Sequence, residues 1–136
     1  MSNELIDKIY FMVYTLYGIF MLTIEFYPDG SHGPVQEYFE HLRGQGDRRK
    51  ALARLLADLD IMTQEGLISS RISVRSMGQG LWELRRMYQG VYYRILFCIH
   101  QHGAWLLHAF EKETKKTPLR DLKLARIRMV NILQGR

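Results

Sequence analysis

The 136-residue chain contains a single cysteine, Cys98, so it forms no internal disulfide. One cysteine excludes both a disulfide-stapled secreted scaffold and a zinc ribbon. Long apolar runs are also missing: residues 9–24 are uncharged, but these 16 residues fall short of the roughly 20 that a membrane-spanning helix needs. The first residues, Met-Ser-Asn-Glu, lack the basic charge of a signal peptide. The sequence therefore predicts neither a secreted disulfide protein nor a membrane protein.

Acidic residues are scarce in the second half of the chain. Residues 69–136 hold 13 Lys and Arg against 4 Asp and Glu, whereas residues 1–68 hold 6 against 10. The formal net charge of the whole chain is +5. Because so few acids neutralise the cations locally, the pattern indicates a surface that binds nucleic acid or another polyanion. A solvated surface of mixed charge is the alternative interpretation.

The composition, 47% hydrophobic and 24% charged, is typical of one folded domain. In the first half, the apolar pattern predicts a strand over residues 22–27, a helix from Pro34 and a helix from Asp47 to Glu65. The two helices are expected to pair as an α-hairpin, with no polar residue on either apolar stripe. The stripes consist of Val35, Tyr38, Phe39, Leu42, Leu52, Leu55, Leu56, Leu59 and Met62.

Period-two patterns dominate the second half of the chain. They predict strands over Leu81–Tyr88 and Val91–His100, joined by a tight Gln89-Gly90 turn, and a third strand over Ala104–Glu111. A last helix follows Thr117-Pro118, with the threonine as its cap. The predicted fold class is α+β in the order β-α-α-β-β-β-α: a small antiparallel sheet with an N-terminal α-hairpin and a C-terminal helix, all helices on one face.

The charged residues of the predicted strands are the candidate site. Arg94 lies in the middle of the central strand, where an arginine is costly unless it is paired. Either it forms a salt bridge with Glu83 or Glu111, or the sheet holds it rigidly to bind a phosphate with its planar fork. We expect Arg85, Arg94 and the loop Lys112–Lys116 to converge at one edge of the sheet, beside the N-terminus of the last helix.

The histidines and the cysteine give no second site. His100, His102 and His108 lack the cysteine or acidic partner that would complete a set of metal ligands. Cys98 lies among apolar residues of the central strand, so we expect a buried and inert thiol.

Five short motifs stand in the order and at the spacings of a known family. They are Gly80-Leu-Trp-Glu-Leu-Arg85, Tyr93-Arg-Ile-Leu-Phe97, Leu106-Leu-His-Ala-Phe-Glu-Lys112, Lys116-Thr-Pro118 and Ala125-x-x-Arg128. With Ile24–Tyr27 and Pro34–Phe39, the match covers residues 21–133. It resembles the HigB branch of the RelE/ParE toxin superfamily, the phage-derived host-killer-like proteins. The chain departs from the family pattern Phe-x-Lys-Lys-Thr at Glu113, which replaces the second lysine.

The resemblance implies the toxin of a type II toxin–antitoxin pair, a cytoplasmic endoribonuclease that cuts mRNA on the ribosome. In such cleavage the 2′-hydroxyl attacks the adjacent phosphate, so neither a metal nor a cofactor is implied. The implied partners are mRNA on the ribosome and a helix-turn-helix antitoxin encoded in the same operon. No membrane partner is expected.

The resemblance also suggests roles for individual residues. Arg85 and Arg94 would hold the phosphate and its developing charge, and Lys112 would serve in proton transfer. His108 and Glu83 are alternative general bases. The residues expected to contact RNA are Tyr93, Lys115, Lys116 and Arg120.

Two alternative functions stay open. ParE-like proteins of the same superfamily inhibit DNA gyrase by binding it, in which case Arg94 and the lysine loop are structural. A non-catalytic basic module that binds RNA or the antitoxin is the other alternative, which Glu113 permits. The row Arg120, Lys123 and Arg126 on the last helix is a solvated face, an antitoxin contact or an RNA contact.

Because the resemblance begins near Met21, we interpret residues 1–20 as an N-terminal extension and residues 21–136 as the toxin domain, with Met21 as an alternative start of translation. A chain that begins at Met21 is expected to fold and to arrest growth like the full chain. Circular dichroism melting and a growth assay measure the two properties. An insoluble or inactive truncated chain would place residues 1–20 within the domain.

Overall fold

A computed structural model describes Leu5, residues 22–114 and residues 116–135. The proposed extension, apart from Leu5, and the proposed start at Met21 lie outside these described residues. The helices and strands are β1 (Thr23–Phe26), α1 (Pro34–Arg43), α2 (Gly46–Glu65), β2 (Val74–Gly78), β3 (Leu81–Tyr88), β4 (Val91–His100), β5 (Gly103–Lys112) and α3 (Leu119–Leu133). Within the described part of the chain, none of the helices combines the length and apolar character that a membrane crossing requires.

The five strands form one mixed sheet in the order β1-β5-β4-β3-β2. The predicted α+β class, the α-hairpin and the C-terminal helix are confirmed. The sheet nevertheless has one strand more than predicted, because β2 joins its edge beside β3. It is also not wholly antiparallel, since β1 pairs with β5 in parallel. The added strand has only five residues and is irregular between Ser76 and Gly78, and its two polar residues are adjacent, so its sequence carries little alternation.

The central hairpin has the predicted bounds and the predicted turn. Tyr88 pairs with Val91, so only Gln89 and Gly90 form the connection between β3 and β4. Both turn residues have positive φ, 50° for Gln89 and 79° for Gly90. That combination is the primed turn whose twist matches two paired strands.

The helices cover both faces of the sheet rather than one. α1 and α2 pack on the face that carries Leu84, Ile95 and Phe97 and form the larger core with it. α3 covers the opposite face. The expectation of a single helical face was wrong because β4 is apolar on both sides, and a central strand of this kind must be covered on both. The second core contains Leu81, Leu96, Cys98, Leu107, Ala125, Met129 and Ile132.

The α-hairpin buries most of its predicted stripe but also a charged residue. Leu56, predicted to be buried, is 40% exposed, whereas Asp58 on the same helix is only 1% exposed. The Asp58 carboxylate accepts two hydrogen bonds from the guanidinium of Arg86 in β3, one from Nε at 2.8 Å. These bonds raise the pKa of Arg86. The expectation that no polar residue lies on the stripe was therefore wrong, because a sheet arginine supplies the partner for Asp58.

Asp58→Ala should remove the partner of Arg86 and weaken the attachment of α2 to the sheet. We expect the free energy of unfolding to fall by about 2–3 kcal/mol, less than for a fully buried pair because Arg86 still reaches water. Urea denaturation measures the change. Asp60→Ala, on the exposed side of the same helix, is the matched control and should cost less than about 0.5 kcal/mol. Equal stability of the two variants would contradict a structural role for the ion pair.

Candidate functional site

The strand register brings the predicted cations to one face of the sheet. Arg85 in β3 stands directly opposite Arg94 in β4, and Arg94 in turn stands opposite Phe110 in β5. Two residues further along, Tyr92 pairs with Lys112. The same face of the sheet continues beneath α3, which covers it from the second turn of the helix onward. We call it the basic face; it comprises Arg75, Glu83, Arg85, Tyr92, Arg94, His108, Phe110 and Lys112.

Arg94 lies beneath the surface of the basic face. Its side chain is fully buried. The guanidinium donates to the hydroxyl of Thr117 at 3.1 Å and to the carbonyl oxygen of Thr114, and it stacks over the rings of Tyr92 and Phe110 at 5.6 and 5.9 Å. Among the described residues its buried Nε has no hydrogen-bond partner. Burial lowers the pKa of Arg94, and the Glu83 carboxylate opposes that shift.

Thr117 joins Arg94 to the buried acid of the site. Glu83 is fully buried, accepts a hydrogen bond from the Thr117 hydroxyl, and is paired with Arg75 through Nε at 3.2 Å. Thr117 therefore does not cap α3, whose N-cap is Pro118. Of the two acids considered for Arg94, Glu83 shares its face and compensates its charge through Thr117. Glu111 lies on the other face.

Glu111 belongs to a separate cluster that holds the α-hairpin to β5. Its carboxylate is paired with Arg48 and accepts a hydrogen bond from the hydroxyl of Tyr38. Burial raises the pKa of Tyr38, so this hydroxyl stays protonated as a donor. The alternation of β5 thus sends Glu111 to the α-hairpin and Lys112 to the basic face.

His108 connects β5 to the first turn of α3. Its Nε2 lies 2.7 Å from Oδ1 of Asp121, and its ring stacks on Phe110 with centroids 5.2 Å apart. Asp121 is 7% exposed, and its other carboxylate oxygen has no hydrogen-bond partner among the described residues. A histidine oriented by a carboxylate is an arrangement suited to proton transfer.

The accessible part of the basic face lies around Tyr92. The guanidinium carbon of Arg85 sits 5.3 Å from the centre of the Tyr92 ring. Lys112, with Val91, Glu111 and Glu113, lines an open depression where β4 begins and β5 ends. Arg85 and Lys112 are both half-buried and Arg75 is exposed, so a bound anion can reach all three cations.

The remaining predicted RNA contacts are only partly assembled. Lys116 and Arg120 are exposed beside the loop that Arg94 holds, whereas Lys115 lies outside the described residues. Tyr93 is 4% exposed and belongs to the core under the α-hairpin, on the other side of the sheet. The tyrosine that lies on the basic face is Tyr92, the neighbour of Tyr93. Strict alternation along β4 places Tyr92, two residues before Arg94, on the arginine's face.

Sequence reasoning also missed Arg75. This residue lies in β2, which was not predicted as a strand, and pairs across the ladder with Glu83. The signal is weak because β2 holds only five residues and lacks a regular alternation of polar and apolar side chains.

The thiol is buried as predicted. Cys98 is 1% exposed in the core under α3, and burial raises its pKa to about 12. A thiol with such a pKa carries almost no thiolate at neutral pH, so it is a poor nucleophile. Among the residues that the structure describes, no group of three or more His, Cys, Asp or Glu is arranged to hold a metal ion.

Thr117→Val should unfold more easily, because Glu83 and Arg94 each lose a hydrogen-bond partner in a buried setting. We expect a loss of about 1–3 kcal/mol in the free energy of unfolding. Thr117→Ser keeps the hydroxyl and is the matched control. Urea denaturation of both variants tests whether the Thr117 hydroxyl links Glu83 to Arg94. A valine variant as stable as the serine variant would contradict this link.

The comparisons with known proteins agree with this geometry. Residues 42–130 match the family model of the phage-derived Gp49-like proteins. No curated protein and no solved structure matches the chain. The matched range runs from the end of α1 to the last turn of α3 and so includes the whole basic face. The chain belongs to the phage-derived Gp49-like family, a toxin-like family of type II toxin–antitoxin systems.

Proposed function

We propose that this protein is a toxin of the HigB/RelE type that cuts mRNA on the ribosome without a metal ion. The observation that carries the proposal is the convergence of Arg85, Arg94 and Lys112 on one face of the sheet, next to Tyr92. Membership of a toxin-like family supports the biological role. The arrangement of the side chains supports the chemistry.

RNA cleavage of this kind needs three contributions from the protein. A base removes the proton of the 2′-hydroxyl, cations stabilise the pentacoordinate phosphate, and an acid protonates the leaving 5′-oxygen. The products are a 2′,3′-cyclic phosphate and a free 5′-hydroxyl, so the substrate supplies its own nucleophile. No step of this reaction calls for a metal or a cofactor.

Arg85 and Lys112 are the groups that would contact the phosphate. Both are half-buried on the basic face, where Arg85 lies over the ring of Tyr92. The planar guanidinium suits two phosphate oxygens at once, and Tyr92 offers a ring on which an unstacked base can rest. Arg94 would act from beneath, by its charge and by holding the loop at Thr114 and Thr117.

His108 and Lys112 are the groups best placed to move protons. His108 retains 17% side-chain exposure and is oriented by Asp121. Glu83 is fully buried and bonded to Thr117 and Arg75, so we assign it a structural role. A carboxylate engaged in this way has no open route to a ribose hydroxyl.

The exposed cations outside the centre would bind flanking phosphates. Lys116 and Arg120 are exposed on the loop and first turn of α3, beside the basic face. Contacts of this kind position the RNA without reading its sequence. They also make binding weaken as the salt concentration rises.

Arg85→Ala is expected to lower the rate of mRNA cleavage by about 10²-fold or more, because it removes a donor aimed at the developing charge. Primer extension on mRNA from translating ribosomes measures the cuts. The melting temperature should stay within a few degrees of the wild type. Arg71→Ala removes an exposed arginine that is paired with Glu65 and serves as the matched control with unchanged cleavage.

Three outcomes would contradict the proposal. Full cleavage by the Arg85→Ala variant would show that Arg85 does not contribute to cleavage. Cleavage that metal-depleted protein performs only after a transition-metal ion is added back, with Mg²⁺ kept constant for the ribosomes, would contradict metal independence. A wild-type protein that leaves mRNA intact but blocks supercoiling by DNA gyrase would replace the proposed activity by gyrase inhibition.

A further inference from the structure

The outer side of α3 carries an apolar stripe that nothing in the described chain covers. Three of its residues, Ile127, Val130 and Leu133, follow one another at a spacing of three. Leu119 lies on the same side two turns earlier, with Lys123 between it and Ile127, and these four apolar residues are between 44% and 70% exposed. We call them the outer stripe: Leu119, Ile127, Val130 and Leu133. Leu124, 36% exposed, lies beside them. The inner side of the same helix is already buried against the sheet through residues such as Ala125 and Met129.

Exposed apolar side chains are concentrated on this helix. Elsewhere in residues 22–114, the large apolar residues that reach a comparable exposure are Leu56, Ile68 and Met87, which lie on three different elements. Single exposed apolar residues are ordinary, but a contiguous patch on one helix marks an interaction surface. The hydrophobic effect favours covering it.

The charges around the outer stripe define what would cover it. Lys123 lies within the stripe's own face, and Arg120 and Lys116 are exposed near its beginning. The one acid of α3, Asp121, is buried against His108. A partner therefore meets apolar side chains bordered by cations, which complement an amphipathic segment with an acidic border.

A second copy of this chain fits the surface poorly. A twofold pair of α3 helices would bring together two faces that both carry the exposed cations Arg120 and Lys123 and no exposed acid. Like charges at the border of an interface oppose association. The charge pattern favours a different protein over self-association.

We propose that the outer stripe is the docking surface for an acidic amphipathic helix of the antitoxin. The inference rests on the toxin role proposed above and adds the surface and the chemistry of its partner. The surface adjoins the site, since α3 begins at the loop that Arg94 holds and Lys116 and Arg120 lie between the two. A helix bound there covers the outer RNA contacts while leaving Arg85 and Arg94 untouched.

The test is an affinity pull-down in which the full, tagged chain is co-expressed with the product of each adjacent reading frame, and the amount of that product retained with the chain is measured. Wild-type chain should retain one of these products, and Ile127→Glu should weaken retention at least tenfold, because it places a charge in the apolar contact and repels acidic side chains. Lys123→Glu should slow association several-fold, with a smaller effect at high salt. Ile68→Glu is the matched control: an equally exposed isoleucine outside α3, with wild-type retention expected.

The activity of the variants, measured without the antitoxin, separates this inference from the proposed activity. Ile127→Glu should cut mRNA and arrest growth as the wild type does, and the antitoxin should no longer rescue the cells. Wild-type retention by Ile127→Glu overturns the docking surface even if cleavage is confirmed, whereas absence of cleavage by the wild type overturns only the activity. Failure of the wild type to retain either adjacent product overturns the inference at its first step.

Two further results would assign the stripe to another occupant and so overturn the proposal. If Ile127→Glu changes the sedimentation of the isolated chain, a second copy covers the stripe. If it instead lowers the melting temperature of the isolated chain by several degrees, a segment of the chain itself does so.

Discussion

The burial of an arginine in the central strand organises the part of the molecule that carries the candidate chemistry. Arg94 is fully buried, and a charge at that depth is tolerated only with close partners. Two of them, the hydroxyl of Thr117 and the carbonyl oxygen of Thr114, come from the loop before α3. Glu83 supplies the compensating charge through Thr117. The sheet therefore positions this loop through Arg94 and Glu83, and the start of α3 also through His108.

The excess of cations in the second half of the chain serves the fold as well as the surface. Arg126 donates to the carbonyl oxygens of Met77 and Gly78 and fastens α3 to the end of β2. Arg128 donates to the carbonyl oxygen of Leu107 in β5. The row expected to act together on α3 is thus divided, since Arg126 is bonded to backbone whereas Arg120 and Lys123 are exposed. A count of charges locates the basic half but not the cations that a partner can reach.

Strands with clear alternation and tight turns could be predicted to the residue, as in the hairpin from Leu81 to His100, because local chemistry determines both. Features that depend on distant partners could not. Asp58 is polar and looks out of place on an apolar stripe until Arg86 is brought to it by the packing of α2 on β3. For Tyr92 and Tyr93 the information was present, since alternation from Arg94 assigns each to a face. The family resemblance drew attention to Tyr93, whose side chain lies in the core on the other face.

Glu113, where the chain departs from the pattern of the HigB-like proteins that it resembles, lies at the accessible rim of the candidate site. Glu113 is exposed and lines the same open depression as Lys112, so its charge lowers the positive potential that an approaching phosphate meets. Water and salt screen a charge in that position, which limits its effect to about 1 kcal/mol or less. The buried pairs beneath the surface are shielded from such screening, so the arrangement of Arg94 and Glu83 does not depend on this substitution. On the proposed function, Glu113 would therefore weaken the encounter with RNA and leave the scaffold of the site intact.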